Sequence, residues 1–415
     1  MKILHITTSL SGGAGLCANR IIKAIRVLGI DVRVLVMNGN KDITTDIIPF
    51  HYPWSSCKMI RKGQSTLNKL GLWPKEIREN YKINKEIFKE KAKCDINPTV
   101  TPPFTIHKHI TDHPWVKEAD LIHLHWIGNF VDYPSFFANI NKPIVWTLHD
   151  ENPGLGGFHY TSWKEKAPKS FQLLDDKWMF VKENAYKSLS TSMTIVAISK
   201  MMEDFICNNR LLKTFPHALI HNGVDTDAYK LVPKKTAREV LSLPENNIVF
   251  MFSAYYIHED RKGLKELIEA LSSLNISSNI TLICLGNYAE KPQAPFDLRC
   301  EGFVSNSQLQ SIYYSAADYY VMPSFQEAFA QTPLEAMSCG TPVISFPCSG
   351  ARDLINESNG IVCNDFTVKE LINSIKQAIS KQYDRDYIRN YIISRFSYDI
   401  IAKEYIKLYN SILKR

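Results

Sequence analysis

Short apolar runs alternate with amphipathic stretches along most of the chain. Residues 2–8 form a first apolar run, a Gly-rich turn follows, and apolar residues then recur at helical spacing as far as Leu28. Val32–Met37 is the next apolar run. A strand, a helix and a strand in this order indicate a βαβ unit and therefore a parallel sheet. The alternation resumes further on, and we predict strands at 121–125, 144–148, 194–198 and 218–221.

A second series of the same kind starts beyond Asn222–Thr226 and the polar stretch Lys230–Lys235, which together we interpret as an interdomain linker. It predicts strands at 248–252, 280–285, 319–322 and 343–346, with helices at 264–274, 309–317 and 333–338. Helical periodicity at 387–413 is followed by no strand, so this segment must pack on existing surface.

These patterns predict an α/β protein with two Rossmann-like domains that face each other across a cleft. We place the N-terminal domain at 1–225, the C-terminal domain at 226–385, and a helical tail that crosses back towards the N-terminal domain at 386–415. An irregular, basic insertion interrupts the first domain at about 50–115.

Composition fits this organisation. The 415 residues amount to two or three domains of common size, and 45% hydrophobic with 22% charged residues is ordinary for globular proteins, which excludes disorder as the main state. No apolar run is long enough to span a membrane, and the N-terminus reads as a first strand rather than a signal peptide. Nine scattered cysteines suggest neither a disulfide framework nor a zinc site, and we expect a cytoplasmic protein.

The excess positive charge is concentrated in one segment. Lys58–Lys93 contains eleven Lys or Arg and four Glu, so its own net charge of +7 equals the net charge of the whole chain. One interpretation is a solvated helical face, and the other is a surface that binds an anionic membrane, which would make the protein peripheral on the inner face of the cytoplasmic membrane. Because the rest of the chain is balanced and has no nucleic-acid motif, we expect no nucleic-acid partner.

The turn that contains Gly12 and Gly13 does not match G-x-G-x-x-G, which disfavours a dinucleotide site. It does allow close backbone approach at a helix N-terminus, where free N–H groups attract a phosphate or a sugar oxygen. A tight structural turn is the alternative interpretation.

A second candidate site is the run 323–337, between a predicted strand and a predicted helix. A helix cap explains part of it, with Thr332 as the N-cap and Glu335 as its capping-box partner. The cap does not explain Glu327 or the small residues around it, which would leave loop amides accessible to a polyhydroxylated ligand.

Two further sets of residues lie at predicted strand ends. Arg261 and Lys262 precede a predicted helix and could clamp a diphosphate without a metal ion. His123 and His125 alternate on one strand, but with no carboxylate or third histidine at a suitable spacing we read them as buried or cleft-lining residues and predict no metal site.

Together these residues resemble a known family. The spacing of Glu327 and Glu335 within FQEAFAQTPLEAMSCGTPVI, the pair Arg261 and Lys262, the Gly12-Gly13 turn and IHNGVD are similar to retaining glycosyltransferase family 4, whose two-domain fold is called GT-B. The segments HLHWIGNF and WTLHDENPGLGGFHY are similar to members that build bacterial surface polysaccharides.

The resemblance implies a role for each matching residue. Glu335 would hold the ribose and Glu327 the donor sugar, Arg261 and Lys262 would bind the diphosphate, and the backbone of Phe303 would meet the base. His149 would contact the sugar and its leaving phosphate, and Asp150 would lie on the acceptor side. The implied catalytic residues are His149, Glu327, Arg261 and Lys262. The implied donor-binding residues are Gly12, Gly13, Arg261, Lys262, Phe303, Glu327, Phe329, Ala330, Gln331, Thr332 and Glu335.

The activity implied is transfer of a hexose-type sugar from UDP or GDP to a saccharide or polyprenyl-linked acceptor, with retention and with no cofactor or metal. Two alternatives stay open: a nucleotide-sugar epimerase of the same fold, and a non-catalytic saccharide- or lipid-binding protein. The complete set of carboxylates and cations argues against the binding protein, because binding alone needs no clamp for a leaving group.

Overall fold

The computed structural model describes residues 1–37, 46–50, 75–276 and 279–414. The chain divides into two compact units. The first comprises Met1–Ala197, Met202–Leu219 and Tyr405–Arg415, and the second comprises Ile198–Met201 and Ile220–Glu404. Both parts of the predicted linker, Asn222–Thr226 and Lys230–Lys235, lie inside the second unit.

The first unit is built on a sheet of seven parallel strands in the order β3-β2-β1-β4-β5-β6-β7. The strands are β1 (Lys2–Thr7), β2 (Asp31–Val36), β3 (Ile47–Pro49), β4 (Leu121–Leu124), β5 (Ile144–Thr147), β6 (Met193–Ala197) and β7 (His217–Leu219). Nearly every residue of β1, β4 and β5 is buried, as expected for strands covered on both faces. Chain order reverses between β1 and β4, which is the position where doubly wound sheets bind ligands.

The second unit repeats this plan with six parallel strands in the order β10-β9-β8-β11-β12-β13. They are β8 (Ile248–Tyr256), β9 (Ile280–Asn287), β10 (Asp297–Cys300), β11 (Tyr319–Met322), β12 (Val343–Ser345) and β13 (Gly360–Val362). Its core packs Phe250, Leu282 and Val321 of the sheet against Leu267 and Leu371 of flanking helices. Here the chain order reverses between β8 and β11.

Helices connect the strands in both units, as parallel sheets require. The α-helices of the described residues are Gly12–Val27, Lys75–Lys91, Pro114–Glu118, Tyr133–Asn139, Thr161–Lys166, Lys169–Lys187, Lys200–Asn208, Lys234–Val240, Leu264–Ser272, Ser307–Ala316, Gln331–Ser338, Ala351–Leu354, Val368–Ile379, Arg385–Phe396 and Tyr398–Leu413. Within the described ranges, no helix combines the length and apolar character that a membrane span requires.

The C-terminal tail consists of two helices rather than the continuous periodicity that the sequence indicated. Helix Arg385–Phe396 ends before Ser397, whose extended backbone forms a parallel bridge with Val224. The Val224 amide donates to Phe396 and the Tyr398 amide donates to Val224, so both of these main-chain groups are satisfied where the helix stops. The second helix is Tyr398–Leu413, and its part from Tyr405 onwards belongs to the first unit.

Candidate active site

The second unit brings Arg261, Lys262 and Glu327 together at the carboxyl edge of its sheet. The two cations follow β8 and the carboxylate follows β11, so they flank the point where the strand order reverses. The Phe325 amide donates to the carbonyl of Arg261 at 2.9 Å and ties the two loops together. Gly263 has φ 73°, and a Cβ there would overlap the carbonyl oxygen of Pro323, so this close approach requires glycine.

Glu327 is the centre of a charge network. Its Oε1 accepts a hydrogen bond from Nζ of Lys262 and lies 3.6 Å from Nη1 of Arg261. Arg261 also donates from Nε to Glu259 at 2.6 Å and from Nη1 to the carbonyl of Gln326 at 3.2 Å. Two cations and two carboxylates therefore hold one another in fixed positions at the strand ends.

The Glu327 carboxyl group is ionised despite its burial. Its side chain is 12% exposed. Burial raises the pKa of Glu327, but the charges of Lys262 and Arg261 outweigh burial, and the net pKa lies below its ordinary value. A fixed negative charge suits acceptance of hydrogen bonds from sugar hydroxyls.

The helix Gln331–Ser338 does not start with the capping box that the sequence suggested. The N-cap residue is Ala330, without a side-chain cap, and the helix begins at Gln331. The Thr332 hydroxyl accepts from Tyr320 at 2.6 Å instead, and Oε2 of Glu335 accepts from the Tyr314 hydroxyl at 2.9 Å. The cap interpretation is wrong because Thr332 is already inside the first turn.

Glu335 is consequently a buried carboxylate inside the helix, 4% exposed and held by Tyr314. Phe329 and Ala330 lie immediately before this helix, where first-turn amides have no partners within the helix itself. Phe303 lies elsewhere on the same unit. It is 54% exposed, follows Gly302, and contacts the ring of Tyr255.

The first unit contains the remaining predicted residues. Helix Gly12–Val27 begins at the Gly-rich turn, and a Cβ on Gly12 or Gly13 would meet no atom within 4 Å. Gly15 differs, because a Cβ there would collide with the backbone of Ser9. The turn therefore combines one glycine required by packing with two beside open space.

Asp150 is committed to internal contacts. Its Oδ2 accepts from Nδ1 of His159 at 2.6 Å and from the indole of Trp126 at 2.9 Å, and its Oδ1 accepts from the Asn152 amide. Burial raises the pKa of Asp150, but His159 and these hydrogen bonds bring it below its ordinary value. This carboxylate orders its own loop, and its acceptor-side role stays a prediction.

His149 is half-buried just beyond β5, and Nδ1 of His125 lies 3.2 Å from its Nε2. His125 in turn contacts His5, whose Nδ1 lies 2.8 Å from Nε2 of His125. His5 is the residue that sequence reasoning missed: it pairs in register with His123 across β1 and β4, and completes a buried set of three histidines. The interpretation that no third histidine accompanies His123 and His125 at a suitable spacing was wrong.

The three imidazoles are arranged as a hydrogen-bonded core. The rings of His123 and His125 stack with centroids 4.1 Å apart, whereas His5 and His125 meet edge to edge, nitrogen to nitrogen at 2.8 Å. A metal ion lies in the plane of each imidazole that binds it, so stacked rings do not direct their nitrogens at one point. His123 is also satisfied on both nitrogens, by Tyr409 at 2.6 Å and Thr147 at 2.8 Å. These contacts favour a polar core over a ligand set.

Known proteins define the class of this fold. HepE of Anabaena, solved with UDP-glucose, superposes with a TM-score of 0.66 at 20% identity, and the match covers 99% of this chain and 100% of that chain. The fold is GT-B, the two-domain fold of many glycosyltransferases.

The chain belongs to glycosyltransferase family 4. The family model Glycosyltransferase Family 4 matches residues 11–228, and the model Glycosyl transferases group 1 matches residues 233–395. An uncharacterised glycosyltransferase of Methanocaldococcus jannaschii is 26% identical over 71% of this chain and 76% of that protein. TuaC of Bacillus subtilis, a glycosyltransferase assigned to teichuronic acid biosynthesis, is 23% identical over 90% of this chain and 88% of its own length.

Proposed function

We propose that this protein is a metal-independent, retaining glycosyltransferase that moves a hexose-type sugar from a UDP- or GDP-sugar to a saccharide or lipid-linked acceptor in surface polysaccharide synthesis. The observation that carries the proposal is the network of Arg261, Lys262 and Glu327 at the reversal point of the second sheet. The two fixed cations can bind the departing diphosphate, and the ionised carboxylate of Glu327 can accept hydrogen bonds from sugar hydroxyls. The relatives that bind UDP-glucose or belong to teichuronic acid synthesis support the donor and the pathway class.

In the proposed reaction, the bond between the sugar C1 and the diphosphate oxygen breaks, and a bond from C1 to the acceptor oxygen forms on the same face. The acceptor hydroxyl proton passes to an oxygen of the departing diphosphate. Arg261 and Lys262 stabilise the negative charge that develops on that oxygen, as a metal ion does in other transferases. Glu335 and the amides at 329–331 hold the nucleotide and phosphate.

The first experiment is a thermal-shift screen of the full chain against UDP- and GDP-sugars, followed by product analysis with candidate acceptors. A bound ligand raises the midpoint temperature of unfolding by mass action, so the screen can identify the donor before the acceptor is known. Release of UDP or GDP together with a lengthened glycan is expected. An epimerised nucleotide sugar with no glycan product, or binding with no turnover, would contradict transfer.

Removal of metal ions tests the clamp. We expect transfer to persist in EDTA because Arg261 and Lys262 supply the positive charge. Loss of activity in EDTA with recovery on addition of Mg²⁺ or Mn²⁺ would contradict metal independence while leaving the transferase assignment intact.

We further propose that the basic helix Lys75–Lys91 docks the first unit on an anionic membrane, where a lipid-linked acceptor would be found. One face of this helix is fixed, because Ile87 packs against Phe171 and Trp178. The opposite face exposes 50% of Tyr81 and 77% of Phe88 among lysines. The other basic residues of the segment, 58–69, and the expected anchors Trp54, Leu70, Leu72 and Trp73 lie outside the described residues.

Liposome co-sedimentation tests this docking. Each lysine close to an anionic surface contributes roughly 1 kcal/mol, so binding should be clear at low salt and should fade as salt screens it. Five Lys→Gln changes on this segment should abolish pelleting, at Lys75, Lys82, Lys85, Lys89 and Lys93. A control with the same charge change has Lys→Gln at Lys265, Lys369, Lys376, Lys403 and Lys407, all exposed. Equal pelleting of the two variants would contradict a specific docking face.

A further inference from the structure

A row of three imidazoles runs from the core of the first unit to the half-buried His149. His5 and His125 are fully buried on β1 and just after β4, and the contacts are His5 Nδ1 to His125 Nε2 at 2.8 Å and His125 Nδ1 to His149 Nε2 at 3.2 Å. Each contact joins one nitrogen of a ring to one nitrogen of the next. The state of one ring therefore constrains its neighbours.

All three rings are neutral at neutral pH. Burial, with a smaller effect of the Arg26 charge, lowers the pKa of His5 to about 3. Burial and the neighbouring imidazoles lower the pKa of His125 well below its ordinary value. Burial lowers the pKa of His149 to about 4, although the Asp150 charge opposes this change. A neutral imidazole has one N–H donor and one acceptor nitrogen, so the hydrogen bonds must all run in the same direction along the row.

The inner end of the row decides that direction. Nε2 of His5 is buried and has no hydrogen-bond partner among the described residues. If the bonds ran inward from His149, this nitrogen would carry an unpaired N–H group in the core. If they run outward, Nε2 of His5 is an unpaired acceptor, which buried sites tolerate better than an unpaired donor. The outward direction is therefore favoured.

We infer that His125, backed by His5, is a positioning residue that holds His149 as the tautomer protonated on Nδ1. In this arrangement His5 donates to His125, His125 donates to Nε2 of His149, and His149 keeps its N–H on the nitrogen that no described residue hydrogen-bonds. His149 then offers a neutral hydrogen-bond donor to an oxygen of the substrate, and it has no free lone pair with which to act as a base. The substrate assignment rests on the proposed function, together with the contact between His149 and the donor sugar or its phosphate that the family resemblance implies.

The tautomer is measured directly by long-range ¹H–¹⁵N correlation on the ¹⁵N-histidine-labelled full chain, with the His149 signals assigned by their loss in His149→Asn. Near neutral pH we expect Nδ1 of His149 to be protonated and Nε2 to be unprotonated. An Nε2-protonated or a cationic His149 would overturn the inference. The tautomer is read on the wild-type protein without substrate, and His149→Asn serves only to assign the signals.

Two substitutions at position 125 extend the test. In His125→Gln the side-chain amide can still donate to His149, so the Nδ1-protonated form should remain. In His125→Leu that donor is lost, and the His149 signals should move towards the Nε2-protonated form. An unchanged His149 tautomer in a folded His125→Leu protein would overturn the positioning role.

Turnover separates this inference from the proposed function. If transfer depends on the tautomer, His125→Leu should lower kcat roughly tenfold or more with little change in donor affinity, and His125→Gln should retain most of it. If the wild-type protein transfers no sugar, the proposed function fails while the NMR result still decides the tautomer. Equal kcat for a folded His125→Leu variant would overturn the catalytic consequence.

Discussion

Replacing Lys262 with glutamate is expected to lower kcat/KM for sugar transfer by roughly a thousandfold or more. The substitution removes a cation that is hydrogen-bonded to Glu327 and places a third carboxylate beside Glu327 and Glu259. Repulsion among these groups would oppose the approach of a diphosphate and leave the charge of the leaving group without its partner. Steady-state kinetics with the donor identified in the screen measures the effect.

Two controls separate chemistry from folding. Lys265→Glu makes the same charge change at an exposed position on the helix that follows Lys262, and its activity should stay close to wild type. The double variant Lys262→Glu with Glu327→Lys restores an ion pair between the two positions, so it should be more stable than Lys262→Glu alone. It should stay inactive, because the cation is no longer at position 262. Recovery of activity in the exchange variant would mean that the pair serves stability alone.

Glu335→Ala is expected to weaken binding of the nucleotide by about fivefold to more than a hundredfold, equivalent to about 1–3 kcal/mol for the loss of hydrogen bonds to a buried carboxylate. Isothermal titration calorimetry with UDP and GDP measures this change. The matched control is Tyr314→Phe, which removes the described donor to Glu335 and keeps the carboxylate. Tyr314→Phe should lower the unfolding temperature and leave the affinity for the nucleotide nearly unchanged. Unchanged affinity for both nucleotides in Glu335→Ala would mean that this carboxylate has only a structural role, as the hydrogen-bond partner of Tyr314.

The loops at the second sheet could be located from sequence because each follows a short apolar run. Arg261 and Lys262 come after one strand and Glu327 after another, and the carboxyl ends of parallel strands lie on one edge. The ion pairs themselves could not be predicted. They depend on the close approach of Gly263 to Pro323, which brings the two loops together and which the sequence pattern does not specify.

His5 was not selected from the sequence, and the reason is different. It lies in the middle of an apolar strand and looks like an isolated polar residue until the register of β1 and β4 places it opposite His123. Doubly wound sheets place the first and fourth strands side by side, but β3 was not among the predicted strands, so 121–125 counted as the third. Cys284 and Cys300 are a similar case. They are 16 positions apart in the sequence, and the register of β9 and β10 places them opposite each other. Both are free thiols.

The first unit has its own consequence for synthesis on the ribosome, because Tyr405 and Tyr409 complete it from the far end of the chain. Until they emerge, Thr147 and His123 lack the hydroxyl groups that they contact at 2.9 and 2.6 Å. At about 5–20 residues per second, translation from Leu219 to Tyr409 takes roughly 10–40 s. During that interval Thr147 and His123 have each other as a partner at 2.8 Å but lack the two tyrosine hydroxyls, while most of the second unit emerges as one uninterrupted segment, Ile220–Glu404. The first unit, whose synthesis begins first, therefore has all of its residues only after the second unit has been made.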